Sequence, residues 1–111
     1  MGKRPPYNAL LILASLADAP RHGYAIKKDI VDRSGGDVRL GSTTLYRLLG
    51  QLLDDGLIEE TDARPAPHLD DERRRYFQIT TAGRRALAAE TRLLERVLLA
   101  VRPALAPRGR A

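Results

Sequence analysis

Thr43, Tyr46 and Arg47 share one face of a helical repeat, and their side chains offer a hydroxyl, a phenol and a guanidinium. Such groups hydrogen-bond to base edges and to phosphate oxygens. A second set is basic: Arg73, Arg74 and Arg75 run consecutively, and Arg64 stands before the polar stretch that precedes them. Guanidiniums grouped this way suit phosphates or a narrow minor groove. The alternative is that these arginines pair with Asp70, Asp71 and Glu72 nearby. Other chemistries lack their parts. His22 and His68 have no companions at metal-ligand spacing, and no phosphate-cradling glycine loop or nucleophile elbow occurs. The acids cluster as Asp54-Asp55, Glu59-Glu60 and Asp70-Asp71-Glu72 in segments expected to be wet, which argues against paired-carboxylate catalysis. The expectation is a protein that is not an enzyme and carries no cofactor or metal.

The helix that positions the first set is marked along its length. Leu45, Leu48, Leu49 and Leu52 recur at i, i+3, i+4 and i+7 and define a buried stripe, with Thr43, Tyr46, Arg47, Gly50 and Asp54 opposite. Ser42 is the expected N-cap, and Gly56 the residue that ends the helix in a left-handed conformation. An ordinary solvated face would interleave Glu and Lys; this one keeps its acids, Asp54 and Asp55, at the far end. That distribution fits a helix entering a major groove. It also fits a core helix whose outer face is small and polar.

Composition agrees with an anionic partner. Among 111 residues, 19 Lys and Arg oppose 14 acids for a formal charge of +5, and nearly all the basic residues are Arg. The length allows one domain with a modest core and excludes a second large one. There is no cysteine, hence no disulfide scaffold or thiolate metal site. The apolar run at residues 9–14 is far shorter than the roughly 20 residues that span a bilayer. Prolines follow the first basic residues, so a secretory signal fits poorly, no membrane partner is expected, and the cytoplasm is the expected location.

In chain order, residues 1–6 read as a flexible basic arm. Residues 7–17 read as a helix apolar nearly all round, with one side for its own domain and another open to a second subunit. A second helix is expected over residues 24–32, with Ile26 and Ile30 inward and Lys27, Lys28 and Asp29 outward; His22 is expected to serve the turn before it. Val38 and Leu40 alternate with Asp37 and Arg39, which suggests a very short strand or an extended link. Residues 57–64 and 74–80 read as a hairpin with a long tip, the second strand alternating Arg75, Phe77 and Ile79 against Tyr76 and Gln78. Thr80 or Thr81 caps a last helix over residues 81–102, closed by Pro103. Leu87, Leu94, Leu98 and Val101 form one seam and Ala86, Leu93, Val97 and Ala100 another. That surface is wider than one small domain covers and is most simply buried by a second copy. Residues 103–111 read as a flexible tail. The fold class is mainly α with a small β-hairpin: a winged helix-turn-helix domain over residues 7–80 plus a C-terminal dimerisation helix.

Three motifs in order, Pro20-Arg21-His22-Gly23-Tyr24, Thr44-Leu45-Tyr46 with Gly56-Leu57-Ile58, and Tyr76-Phe77-Gln78-Ile79-Thr80-Thr81-Ala82-Gly83-Arg84, resemble the PadR family of bacterial winged-helix transcriptional regulators. The resemblance covers most of the chain and is to the small members with a single helix after the wing. It implies a homodimer on operator DNA, held by the last helix and part of the first, with Leu10, Leu87, Leu94, Val97, Leu98 and Val101 in the interface. It implies repression relieved by a small-molecule effector of unknown identity or another signal. By position, Ser42, Thr43, Thr44, Tyr46 and Arg47 become the recognition contacts, Arg64, Arg73, Arg74 and Arg75 the wing contacts, and Tyr24 a backbone contact. Two features depart from the family. Gly50 and Gln51 stand where basic residues are common, and no aromatic in the last helix offers a platform for a planar drug. A rival reading from another class is a winged-helix module that docks a protein partner and binds no DNA. Neutralising the arginines distinguishes the two.

Overall fold

A computed structural model of the chain describes residues 5–64 and 74–107. The basic arm at residues 1–4, the hairpin tip at 65–73 with His68 and Arg73, and the tail at 108–111 lie outside the described residues. Four helices, α1 (Tyr7–Ser15), α2 (Gly23–Arg33), α3 (Ser42–Asp54) and α4 (Thr81–Leu105), surround three short strands, β1 (Arg21–His22), β2 (Ile58–Thr61) and β3 (Tyr76–Ile79). The strands form an antiparallel sheet in the order β1-β3-β2. This is the winged-helix class expected, with one strand more than a hairpin.

The apolar stripes meet in a single core. Ala9, Ile12, Leu13 and Leu16 from α1 and its end, Ile26 and Ile30 from α2, and Leu45, Leu48, Leu49 and Leu52 from α3 are buried together with Ile58, Phe77 and Ile79 of the sheet. The α3 stripe is therefore buried as its spacing predicts, and Thr43, Tyr46, Arg47 and Asp54 face out. Gly56 ends α3 at φ 73°, and the amides of Gly56 and Leu57 return to the carbonyls of Leu53 and Leu52 at 3.1 and 3.0 Å. That pair of bonds is the Schellman arrangement, which a side chain at Gly56 would strain.

Thr80 is the cap of α4. Its Oγ1 accepts the Gly83 amide at 3.0 Å and donates to the Gly56 carbonyl at 2.7 Å, so the end of α3 and the start of α4 share one hydroxyl. Gly83 is buried against the link after α3, where a Cβ would run into the Leu57 carbonyl oxygen.

Several expectations need correction. Gly41, not Ser42, is the N-cap of α3 and makes no side-chain bond; Ser42 is the first helical residue and its hydroxyl accepts from Lys27 Nζ at 3.1 Å. Of the two readings for Val38 and Leu40, the link holds and the strand does not: Leu40 turns into the core while the Val38 amide is held by Ser34 Oγ at 2.9 Å. Tyr76 and Phe77 alternate between the two faces of β3 as read, yet both are buried, Tyr76 beneath the Arg64 guanidinium and against the His22 ring. Pro103 does not close α4, which runs to Leu105. A proline's fixed φ is helical, and near a C-terminus its missing N–H costs one bond rather than a helix. The first helix ends at Ser15, two residues early, and the strands are shorter than their apolar patterns.

Candidate nucleic-acid interface

The outer face of α3 is short-chained and free of acid along its first two turns. Ser42, Thr43 and Arg47 are exposed, Thr44 is half-buried, and Tyr46 is 51% exposed. Tyr46 owes its position to a missing side chain. A Cβ on Gly23 would stand 2.6 Å from the Tyr46 hydroxyl, so the phenol lies across the bare backbone at the start of α2. Gly50 leaves the next turn open. At the opposite end of α3, Asp54 and Asp55 line a recess of about 260 Å³ with Pro5, Pro6 and Gln51. The helix is therefore polarised, with carboxylates at its C-terminus and donors at its N-terminus, where its dipole favours anions.

The start of α2 adds to the same surface. His22 caps it, as expected of a residue serving the turn: its Nδ1 accepts the Ala25 amide at 3.2 Å. Its Nε2 stands 3.1 Å from Nη1 of Arg74, and its ring meets Tyr76 edge-on with centroids 5.2 Å apart. Tyr24 is 68% exposed beside it. Between α2 and the link into α3, Tyr24, Lys27, Lys28, Val31, Arg39 and Leu40 line a groove of about 380 Å³ that holds three cations and no carboxylate. Lys27, Lys28 and Arg39 were outward-facing in the sequence pattern, but nothing in their spacing joined them to α3. The groove does so, through the Lys27 to Ser42 bond.

Two of the wing arginines, Arg64 and Arg75, are engaged with the wing itself. Arg64 lies 4.7 Å over the Tyr76 ring and donates to the Arg74 carbonyl at 2.8 Å, which ties the two strands where they leave the sheet. On the other face Arg75 sits 5.2 Å over Phe77, and its Nε donates to Glu60 Oε1 at 2.7 Å. The hydrogen bond from Arg75 holds the Glu60 carboxyl below its ordinary value, and Glu60 in turn raises the Arg75 guanidinium. The acid that takes Arg75 is thus a cross-strand residue; Asp70, Asp71, Glu72 and Arg73 lie outside the described residues. His22, Gly23, Tyr24, Tyr46, Arg74 and Arg75 together line a groove of about 280 Å³ between the wing and α3. The structure so brings Tyr24, Tyr46, Arg74 and Arg75 into one cleft, with Ser42, Thr43 and Arg47 further along α3.

A further ionic network is structural. Arg21 Nε donates to the Ser15 carbonyl at 2.7 Å and its Nη2 approaches Asp18 at 3.4 Å and Asp29 at 3.8 Å; Arg33 Nε meets Asp29 at 2.6 Å. It clips the end of α1 to α2. The Asp18 carboxyl is held low first by a backbone hydrogen bond and then by Arg21 and Arg33. Among the described residues no three His, Cys, Asp or Glu side chains group as a metal site, and no helix is long and apolar enough to cross a membrane.

Known proteins share both pattern and fold. Residues 12–89 match the model of the transcriptional regulator PadR-like family. An uncharacterised 37.1 kDa protein in transposon TN4556 of Streptomyces fradiae is 38% identical over 88 residues, which are 79% of this chain; the match spans 23% of that relative's length. Among solved structures, a PadR family regulator from Clostridium difficile R20291 superposes with a TM-score of 0.73 at 22% identity, covering 90% of this chain and 99% of that one. A transcriptional regulator from Clostridium thermocellum gives 0.72 at 23% identity, covering 89% and 90%. RosR of H. salinarum gives 0.64 at 24%, covering 93% and 80%. Since the family model matches residues 12–89, well over half of its length, the chain belongs to the PadR-like family of transcriptional regulators.

Proposed function

We propose that the protein is a homodimeric repressor that binds operator DNA sequence-specifically and is released by a ligand or another signal. The supporting observation is that two grooves with no acid in their linings, one with Lys27, Lys28 and Arg39 and one with Tyr24, Tyr46 and Arg74, accompany the exposed Ser42, Thr43 and Arg47 of α3. In this reading α3 enters the major groove, where Tyr46, Arg47 and the hydroxyls of Ser42, Thr43 and Thr44 reach bases and phosphates. Arg64, Arg73, Arg74 and Arg75 flank it from the wing, and Tyr24 meets the backbone. A second copy covers the apolar face of α4 that carries Leu94, Val97, Leu98 and Val101, with Leu87 and Leu10 at its margin. Two-fold symmetry then presents two copies of α3 about 34 Å apart, one helical turn of DNA.

The test is a titration of the purified protein against DNA from its own upstream region and against an unrelated duplex of equal length, at low and near-physiological salt. Preference for the upstream region that survives salt supports the repressor. Absence of binding to either duplex at low salt sinks it and leaves docking to a protein partner as the use of the same face.

A further inference from the structure

Arg75 belongs to two neighbourhoods. It lines the cleft with Tyr24, Tyr46 and Arg74, and it lines a second groove with Glu60, Asp62, Arg64 and Tyr76. Sheet register explains the second. Glu60 stands opposite Phe77, so Arg75, two residues before Phe77, is its diagonal neighbour on the same face. The guanidinium stacks on Phe77 and donates through Nε to Glu60, and both side chains remain about half exposed, at 55% and 52%. The wing thus carries its own counterion. Arg74, by contrast, reaches towards His22 at the base of α2.

From this arrangement, and resting on the DNA-binding reading above, we infer that Glu60 is a specificity-setting residue that withholds Arg75 from indiscriminate phosphate binding. A phosphate of arbitrary sequence must displace a carboxylate already bonded at 2.7 Å, exchanging one exposed ion pair for another with little net gain. Arg75 contributes only on a duplex whose groove brings a phosphate or a base edge to it in the geometry the Phe77 ring and the strand allow. Affinity for random DNA is thereby held down while affinity for the right duplex is not.

Glu60→Gln removes the charge and keeps an oxygen that can accept from Nε. On a short mixed-sequence duplex, the expected result is several-fold tighter binding at low salt. The plot of log affinity against log salt should steepen by about 0.9, the increment for one added phosphate contact. The preference for the upstream region over the mixed duplex falls correspondingly. Glu60→Gln combined with Arg75→Gln returns the slope to that of the wild type. Arg75→Gln alone, with Glu60 intact, lowers affinity for the upstream region more than affinity for the mixed duplex, which keeps the inference testable should Glu60→Gln misfold; an equal loss on both duplexes overturns it. An unchanged slope in Glu60→Gln overturns the inference. So does an equal steepening in the Arg75→Gln background, since Glu60 would then act through general charge alone. If the wild type binds neither duplex, the DNA reading itself fails and this inference falls with it.

Discussion

Ile12, Leu13, Ile26, Ile30, Leu45 and Leu49 in the winged domain are at most 1% exposed, whereas Leu94, Val97, Leu98, Leu99, Val101 and Leu105 in α4 stand between 38% and 76%. Both sets recur at helical spacing. The difference teaches that periodicity reports which face of a helix is apolar and not what covers it. In α1, α2 and α3 the cover comes from the same chain. In α4 it ends near Leu87, which packs on the domain core, and beyond that the described residues of one chain leave the face open. An apolar stripe left this exposed is what the proposed second copy would cover.

The sharpest way to break the contrast is inside the domain. Phe77→Ala should cost about 3 to 5 kcal/mol in urea-induced unfolding, since it opens a cavity at the junction of sheet and helices. A loss below about 1 kcal/mol would mean that the sheet is not integral to the core. In α4, Leu94→Asp with Leu98→Asp should leave a dilute single chain within about 0.5 kcal/mol of its starting stability, because both positions already face solvent. The same pair should convert dimer to monomer in sedimentation, as charges enter a face the proposed dimer desolvates. A dimer that persists places the interface elsewhere. A smaller loss than that of Phe77→Ala is expected at the joint between the regions. Thr80→Val removes both hydroxyl bonds and should cost about 1 kcal/mol, with Thr80→Ser restoring most of it. No change would mean the cap is idle.

Legibility in the sequence followed the range of the interaction. The α3 stripe, the Gly56 stop, the Thr80 cap and the outward Tyr46 and Arg47 depend on neighbours within a few residues, and their spacing exposed them. Strand β1 is two residues, Arg21 and His22, between a proline and a glycine; it exists only because β3 pairs with it from more than fifty positions away. Its His22 ring meets Tyr76 edge-on and, with Arg64 over the other side, buries a residue whose cover the strand's own alternation does not reveal. The Ser42 cap failed for a related reason: Lys27, from another helix, took the hydroxyl. Glu60 could not be matched to Arg75 until the register of the sheet made them diagonal neighbours. The seat that Gly23 makes for Tyr46 needed two helices in contact.

Thr80 has a mechanical consequence. Its N–H donates to the Leu57 carbonyl at 3.1 Å, its hydroxyl donates to Gly56 and accepts from Gly83, and Gly83 lies against the Leu57 backbone with no side chain between. Four contacts at one corner make α3 and α4 a single bent lever. The arm formed by the 25 residues of α4 is about 37 Å long, so a 10° turn at the corner carries its far end through about 6 Å. Were the corner to hold rigid, whatever seats the far end of α4 would set the pitch of α3. Gearing of that kind would convert a coarse adjustment along α4 into a fine one at Tyr46 and Arg47.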